Sequence, residues 1–208
     1  MQGDRMAQEW LVDESGLCLP LLTQESEPEA LDVPYRLYRL LTDLEDVLRS
    51  TANPTAQLQK ITPLVRRLLD EASWLEVMPI MPNPETGWEV VTLYDEPMFP
   101  LTVQMVAWAP GSESPIHNHA CWGVVALLSG AEQNTFWRRE PTAELPDRIV
   151  QAGGHQLQAG EIITFLPDAI HQIQALGDRP TISFNLYGET DYDRRFEFNP
   201  AEGTASVF

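Results

Sequence analysis

His117 and His119 hold the first chemistry legible in this chain. Residues i and i+2 of an extended segment point to the same face, so two imidazoles at this spacing can converge on one ion. An HxH pair alone is a weak signal, because most such pairs lie on surfaces or in turns. What strengthens it is a third histidine, His171, about fifty positions later at the start of another strand-like segment. Two histidines on one strand and a third on another is how a barrel gathers ligands from separate strands. The fourth, His155, follows Gly153-Gly154 and reads as a hairpin residue rather than a ligand.

The elements that must carry these residues change character near residue 86. From about Trp88 onward the chain reads as strands: WEVVTLYD, PLTVQMVAWA, WGVVALLS, NTFWRRE, RIVQAG, HQLQAG, EIITFLP, HQIQAL and TISFNLYG. All are short, rich in β-branched and aromatic residues, and punctuated by Gly, Pro and Asp. Strands spaced about ten residues apart imply a sandwich or a barrel. No long helix intervenes to cross over between parallel strands, which disfavours a doubly wound α/β fold. Before residue 86 the periodicity is helical. Asp32 can cap a helix with Pro34 in its first turn, and Leu37, Leu40, Leu41, Leu44, Val47 and Leu48 form its stripe. Asn53-Pro54 and Thr62-Pro63 read as further helix starts, the second carrying Leu64, Val65, Leu68 and Leu69 on one face. These stripes are expected to pack on the protein's own core. Residues 1–30 are acidic and weakly periodic, and read as an irregular arm or a short element packed on the body. The expected division is therefore an arm with helices packed on the barrel over 1–86, and a barrel over 87–208.

Composition narrows the partners. Among 208 residues, 31 Asp and Glu face 13 Lys and Arg, a formal net charge of −18. Such a field repels nucleic-acid phosphates and anionic membranes, and the arginine pairs at 66–67, 138–139 and 194–195 are too small to reverse it. At 43% hydrophobic residues a full core is affordable. The two cysteines, Cys18 and Cys121, lie far apart without a CxxC context, so neither a disulfide framework nor a zinc knuckle is expected. The N-terminus has no basic region followed by an apolar run, and no window approaches a membrane span. The expectation is a cytoplasmic protein, monomeric or a small homo-oligomer, with a small-molecule partner.

The pattern Gly111-x5-His117-x-His119-x3-Gly123-x6-Gly130, then Gly160-x6-Pro167-x3-His171, resembles the two motifs of the cupins. The segments WAPGSESPIHNHACWGVVALLSGAE and FLPDAIHQIQALGDRPTISFNLYG are similar to the thiol dioxygenase branch, which includes cysteine dioxygenase and, more closely, 3-mercaptopropionate dioxygenase. The likeness covers roughly residues 88–190. It implies a mainly β fold, a double-stranded β-helix (jelly-roll barrel) with an N-terminal helical segment. It further implies that His117, His119 and His171 hold Fe(II), and that O2 oxidises a small thiol carboxylate to its sulfinate. Many cupins add a glutamate where this chain has Gly123. Three neutral imidazoles leave the full dipositive charge on the metal and favour an anionic thiolate. The metal is not encoded: Zn, Ni or Mn are possible substitutes.

Three departures qualify the resemblance. The branch carries a Ser-His-Tyr relay, and the matching residues here are Ser183, Asn185 and Tyr187, all on one strand face. Asparagine can hold a hydrogen bond but cannot titrate as imidazole does. Gly123 also stands where mammalian-type enzymes link a cysteine to the tyrosine, and Cys121 reads as a packed thiol rather than a substitute. The substrate carboxylate is gripped in cysteine dioxygenase by an arginine on an early strand, where this chain reads Trp88-Glu89-Val90-Val91-Thr92. In the 3-mercaptopropionate branch the arginine follows the tyrosine, where this chain offers Arg194 and Arg195. Other readings are a metal cupin with different chemistry, such as another oxygenase or an isomerase, and a non-catalytic cupin that senses a ligand.

Overall fold

The computed structural model describes residues 9–23 and 34–208. The alternation read from the sequence becomes thirteen strands among the described residues, in two sheets. They are β1 (Glu9–Val12), β2 (Cys18–Pro20), β3 (Trp88–Glu96), β4 (Phe99–Trp108), β5 (Ile116–Asn118), β6 (Gly123–Ser129) and β7 (Ala131–Arg139). There follow β8 (Ile149–Gln158), β9 (Ile162–Phe165), β10 (Ile170–Leu176), β11 (Thr181–Tyr187), β12 (Phe196–Asn199) and β13 (Thr204–Val207). One sheet runs β2-β1-β9-β6-β11-β4-β3 and the other β13-β12-β5-β10-β7-β8. From β4 onward the chain passes back and forth between them, and only β7 to β8 and β12 to β13 stay within one sheet. That shuttling is the double-stranded β-helix, and its mainly β architecture agrees with the expectation.

Apolar side chains from the two sheets interleave between them. Val125, Leu127, Ile163 and Phe165 of one sheet meet Phe136 and Leu157 of the other, with Val12 and Ala169 beside them. Glycines set the corners. Gly130 turns β6 into β7 at φ +81°, where a Cβ would lie 2.8 Å from the Thr181 methyl.

One expectation is revised here, and the arm resolves to the short packed element among its alternatives. RIVQAG and HQLQAG are a single strand, β8, and Gly153-Gly154-His155 lies within it rather than in a hairpin. Gly154 makes this possible: a Cβ there would sit 2.8 Å from the Asn134 carbonyl oxygen of neighbouring β7. His155 packs on the Trp10 ring, with centroids 4.2 Å apart. The arm also contains structure. Residues 9–12 form β1, which runs parallel to β9, and Thr164 donates to the Trp10 carbonyl at 2.8 Å.

Residues 21–79 form a second compact unit. Its helices are α1 (Leu37–Ser50), α2 (Pro54–Glu71) and the single turn α3 (Trp74–Val77). Asp32 lies outside the described residues, and Pro34 precedes the helix: α1 has Arg36 at its N-cap with no side-chain cap. Asn53 caps α2 by accepting from the Ala56 amide at 3.0 Å. Thr62-Pro63 does not open a new helix, because α2 continues through Pro63. The buried stripe Leu58, Ile61, Val65 and Leu68 spans the proline, and burying it outweighs the lost backbone bond. No helix among the described residues is long and apolar enough to cross a membrane.

Candidate metal centre

His117 lies on β5, His171 starts β10, and the two are direct antiparallel partners. His119 follows β5, where the backbone leaves the strand through Ala120 at φ +53°. The ligand atoms of the three imidazoles lie within 4.8 Å of one another. His119 Nε2 and His171 Nε2 approach to 3.0 Å. This is about the separation of two nitrogens adjacent on one ion at about 2.0–2.1 Å each.

The opposite ring nitrogens are held in place. His117 Nδ1 donates to the Pro115 carbonyl at 3.0 Å, and His171 Nδ1 faces Asn134 Oδ1 at 3.4 Å. Both acceptors lack protons of their own, so each Nδ1 carries the hydrogen and each Nε2 keeps its lone pair inward. All three imidazoles are biased to the neutral form that metal ligation requires. Burial pushes His117 down to about 4, aided by the Arg195 charge and opposed by the Pro115 carbonyl. Burial also drives His119 and His171 well below the ordinary histidine value, His119 helped by both other imidazoles and Arg195, and His171 by His117. The donor set fits a divalent ion with positions left open.

These histidines open onto a cavity of about 390 Å³. Ser183, Asn185 and Tyr187 of β11 line it together, as strand alternation requires. Asn185 Nδ2 donates to the Tyr187 hydroxyl at 3.1 Å, which leaves the tyrosine proton directed elsewhere. Burial raises the Tyr187 pKa, so the hydroxyl remains a donor. Its ring lies 4.6 Å from that of His119. Gly123 explains why this is possible, since a Cβ there would meet two ring carbons of Tyr187 at 3.1 Å.

The arginine pair splits. Arg195 lines the histidine cavity, its guanidinium 4.4 Å over the Phe208 ring, and its buried Nε has no hydrogen-bond partner among the described residues. Arg194 faces another depression, where Nη2 meets both Asp168 oxygens at 2.8 and 2.9 Å. Cys121 is buried beside Thr190 Oγ1 at 3.5 Å. Trp88 and Val90 of β3 border the cavity.

Two residues of β7 belong to this cavity although no motif pointed to them. Asn134 fixes the His171 tautomer while its own Nδ2 is buried without a partner. Glu132, one alternation further along β7, is 3% exposed and accepts from Thr181 Oγ1 at 2.9 Å. Burial pushes its carboxyl up to about 7, against the lowering effect of the Thr181 bond. The signal that could have found both is the inward alternation Glu132, Asn134, Phe136.

No family model matches the chain. Among solved structures, a recombinant oxalate oxidase in complex with glycolate is similar at 17% identity and TM-score 0.39, over 51% of this chain and 53% of that one. This chain thus aligns with about half the length of the oxidase. A cupin-2 domain from Rhodospirillum rubrum aligns at 14% identity and TM-score 0.43, covering 56% and 68% of the two chains. The cupin domain of Schizosaccharomyces pombe Cnp3 aligns at 13% and 0.40, covering 50% and 61%. Likenesses this distant carry no functional argument; the strand topology itself supports the fold.

Proposed function

We propose that this protein is a mononuclear non-haem iron thiol dioxygenase, oxidising a small thiol carboxylate to its sulfinate with O2. The observation that carries the reading is one cavity bordered by three neutral imidazoles, a tyrosine hydroxyl and a guanidinium with a buried, unpartnered nitrogen. Iron held by His117, His119 and His171 would supply the redox centre at which thiolate and O2 meet. The chain's own residues do the rest. Arg195 holds the carboxylate, and Phe208 backs the guanidinium plane. Tyr187 donates its proton into the cavity, oriented by Asn185. Both atoms of O2 end on sulfur, which supplies all the electrons that oxygen takes, so no outside reductant enters.

The test is anaerobic loading with Fe(II), then a panel of thiol carboxylates followed by O2. The expected result is oxygen consumption matched to sulfinate. Iron bound at full occupancy with no consumption by any thiol would overturn the reading. Asn185 supports a second reading, a metal cupin with other chemistry, because it cannot carry the proton that a relay histidine would. Replacing Asn185 with His separates the two readings. A large gain of thiol oxidation favours a site whose native substrate differs from the familiar ones.

A further inference from the structure

Glu132 is a carboxyl in the cavity for which the thiol reading has no use. It is a carboxyl taken out of water, and a buried carboxylate is costly unless paired. Among the described residues no cationic side chain pairs with it, and Thr181 is its only hydrogen-bond donor. Thr181 occupies Oε1 and leaves Oε2 free to meet a ligand.

Its position relative to the histidines is set by strand geometry. Asn134 contacts His171 diagonally, and Glu132 precedes it by one alternation on the same face of β7; in register Glu132 pairs with Ala175, four residues and about 13 Å along the strand from the level of His171. The cavity therefore has a metal-binding level and, two alternations further along the strands, a carboxyl level. A thiol acid of about six heavy atoms, at about 20–30 Å³ each, fills less than half of the 390 Å³. Arg195 answers the substrate's negative end, and nothing in such a small molecule answers Glu132.

We propose that Glu132 forms a subsite for a basic nitrogen, so that the substrate class is a thiol carrying an ammonium or similar cation at the end remote from its sulfur. The inference rests on the thiol reading only for the end that meets the metal. A cation at Oε2 completes the ion pair that the chain leaves open, and the separation places the nitrogen too far from the centre to chelate it.

The test is anaerobic calorimetry on the metal-loaded protein with alkanethiols of four to ten methylenes, ending either in an amine or in a methyl group. Wild type should bind the amine-ended thiol at least tenfold more tightly than its methyl-ended match. Glu132→Gln, which still accepts from Thr181, should reduce that preference to within twofold. Among thiols that bind, no preference in wild type, or one that survives in Glu132→Gln, overturns the proposal. A second measurement needs neither sulfur nor a folded variant: titrate wild type with pentylamine and follow the Glu132 carboxyl carbon by NMR. A saturable shift supports the subsite even if every thiol fails at the metal, in which case only the thiol reading falls. An unmoved signal at high amine overturns the subsite.

Discussion

At the scale of single residues, adjacency in sequence says little about shared purpose. Arg194 and Arg195 are neighbours, yet one is tied to Asp168 and the other borders the histidine cavity. On the proposed function, Arg195→Ala should raise KM for a thiol carboxylate by about 30–100-fold, the loss of a charge-assisted pair. Arg194→Ala should leave it within twofold, and steady-state kinetics on the two variants checks the assignment. The sequence offered both arginines because alternation cannot orient a residue in the loop that precedes β12. Glu132 was hidden for a different reason: β7 is polar on both faces, so its inward set does not stand out by hydropathy. Its carboxyl makes a stability prediction. Between the ordinary 4.5 and about 7 the folded protein keeps a proton that the unfolded chain has lost. Stability from this group therefore falls as pH rises through that window, by about 3 kcal/mol in total, and changes no further above it. Glu132→Gln removes this dependence. Urea unfolding should show the variant gaining on wild type from pH 4 to pH 8, with the gain concentrated between pH 4.5 and 7.

At the scale of elements, the longer barrel strands were legible, while the shortest strands and the strand extents were not. The strands bearing His171 and the Ser183-Asn185-Tyr187 face were read within a residue or two, because each is bounded by a turn and rich in β-branched residues. β8 was split at its glycines, which normally punctuate a chain but here admit the close approach of β7. β12 and β13 were missed, being four residues each with polar alternation. Pro63 misled in the same manner, since proline usually marks a helix start and here sits inside α2. The apolar stripe across it makes the helix continuous at a cost of about 3 kcal/mol. Pro63→Ala should therefore stabilise the protein by up to that amount. A denaturant melt showing no gain would mean that the ring's own packing compensates for the missing N–H.

At the scale of the whole molecule, the net charge of −18 and the anion-binding cavity oppose each other. Within a Debye length of the surface the approaching thiol carboxylate meets the summed field of the chain, which repels it. Within the cavity it meets Arg195 and the ion that the three neutral imidazoles would hold. These ranges separate in a salt series. Raising ionic strength from about 0.01 to 0.15 M shortens the Debye length from about 30 to 8 Å. The repulsion is then screened before contact, while the partly buried guanidinium is screened far less. The association rate of an anionic thiol should accordingly rise a few-fold over that range, and that of an uncharged thiol of the same size should stay flat. An amine-ended thiol without a carboxylate should slow instead, drawn less strongly toward the cavity as the field collapses. Stopped-flow binding with the three probes reads this directly. A fall for the anionic thiol would mean that the positive charge of the site reaches past the acidic surface and steers its substrate from a distance.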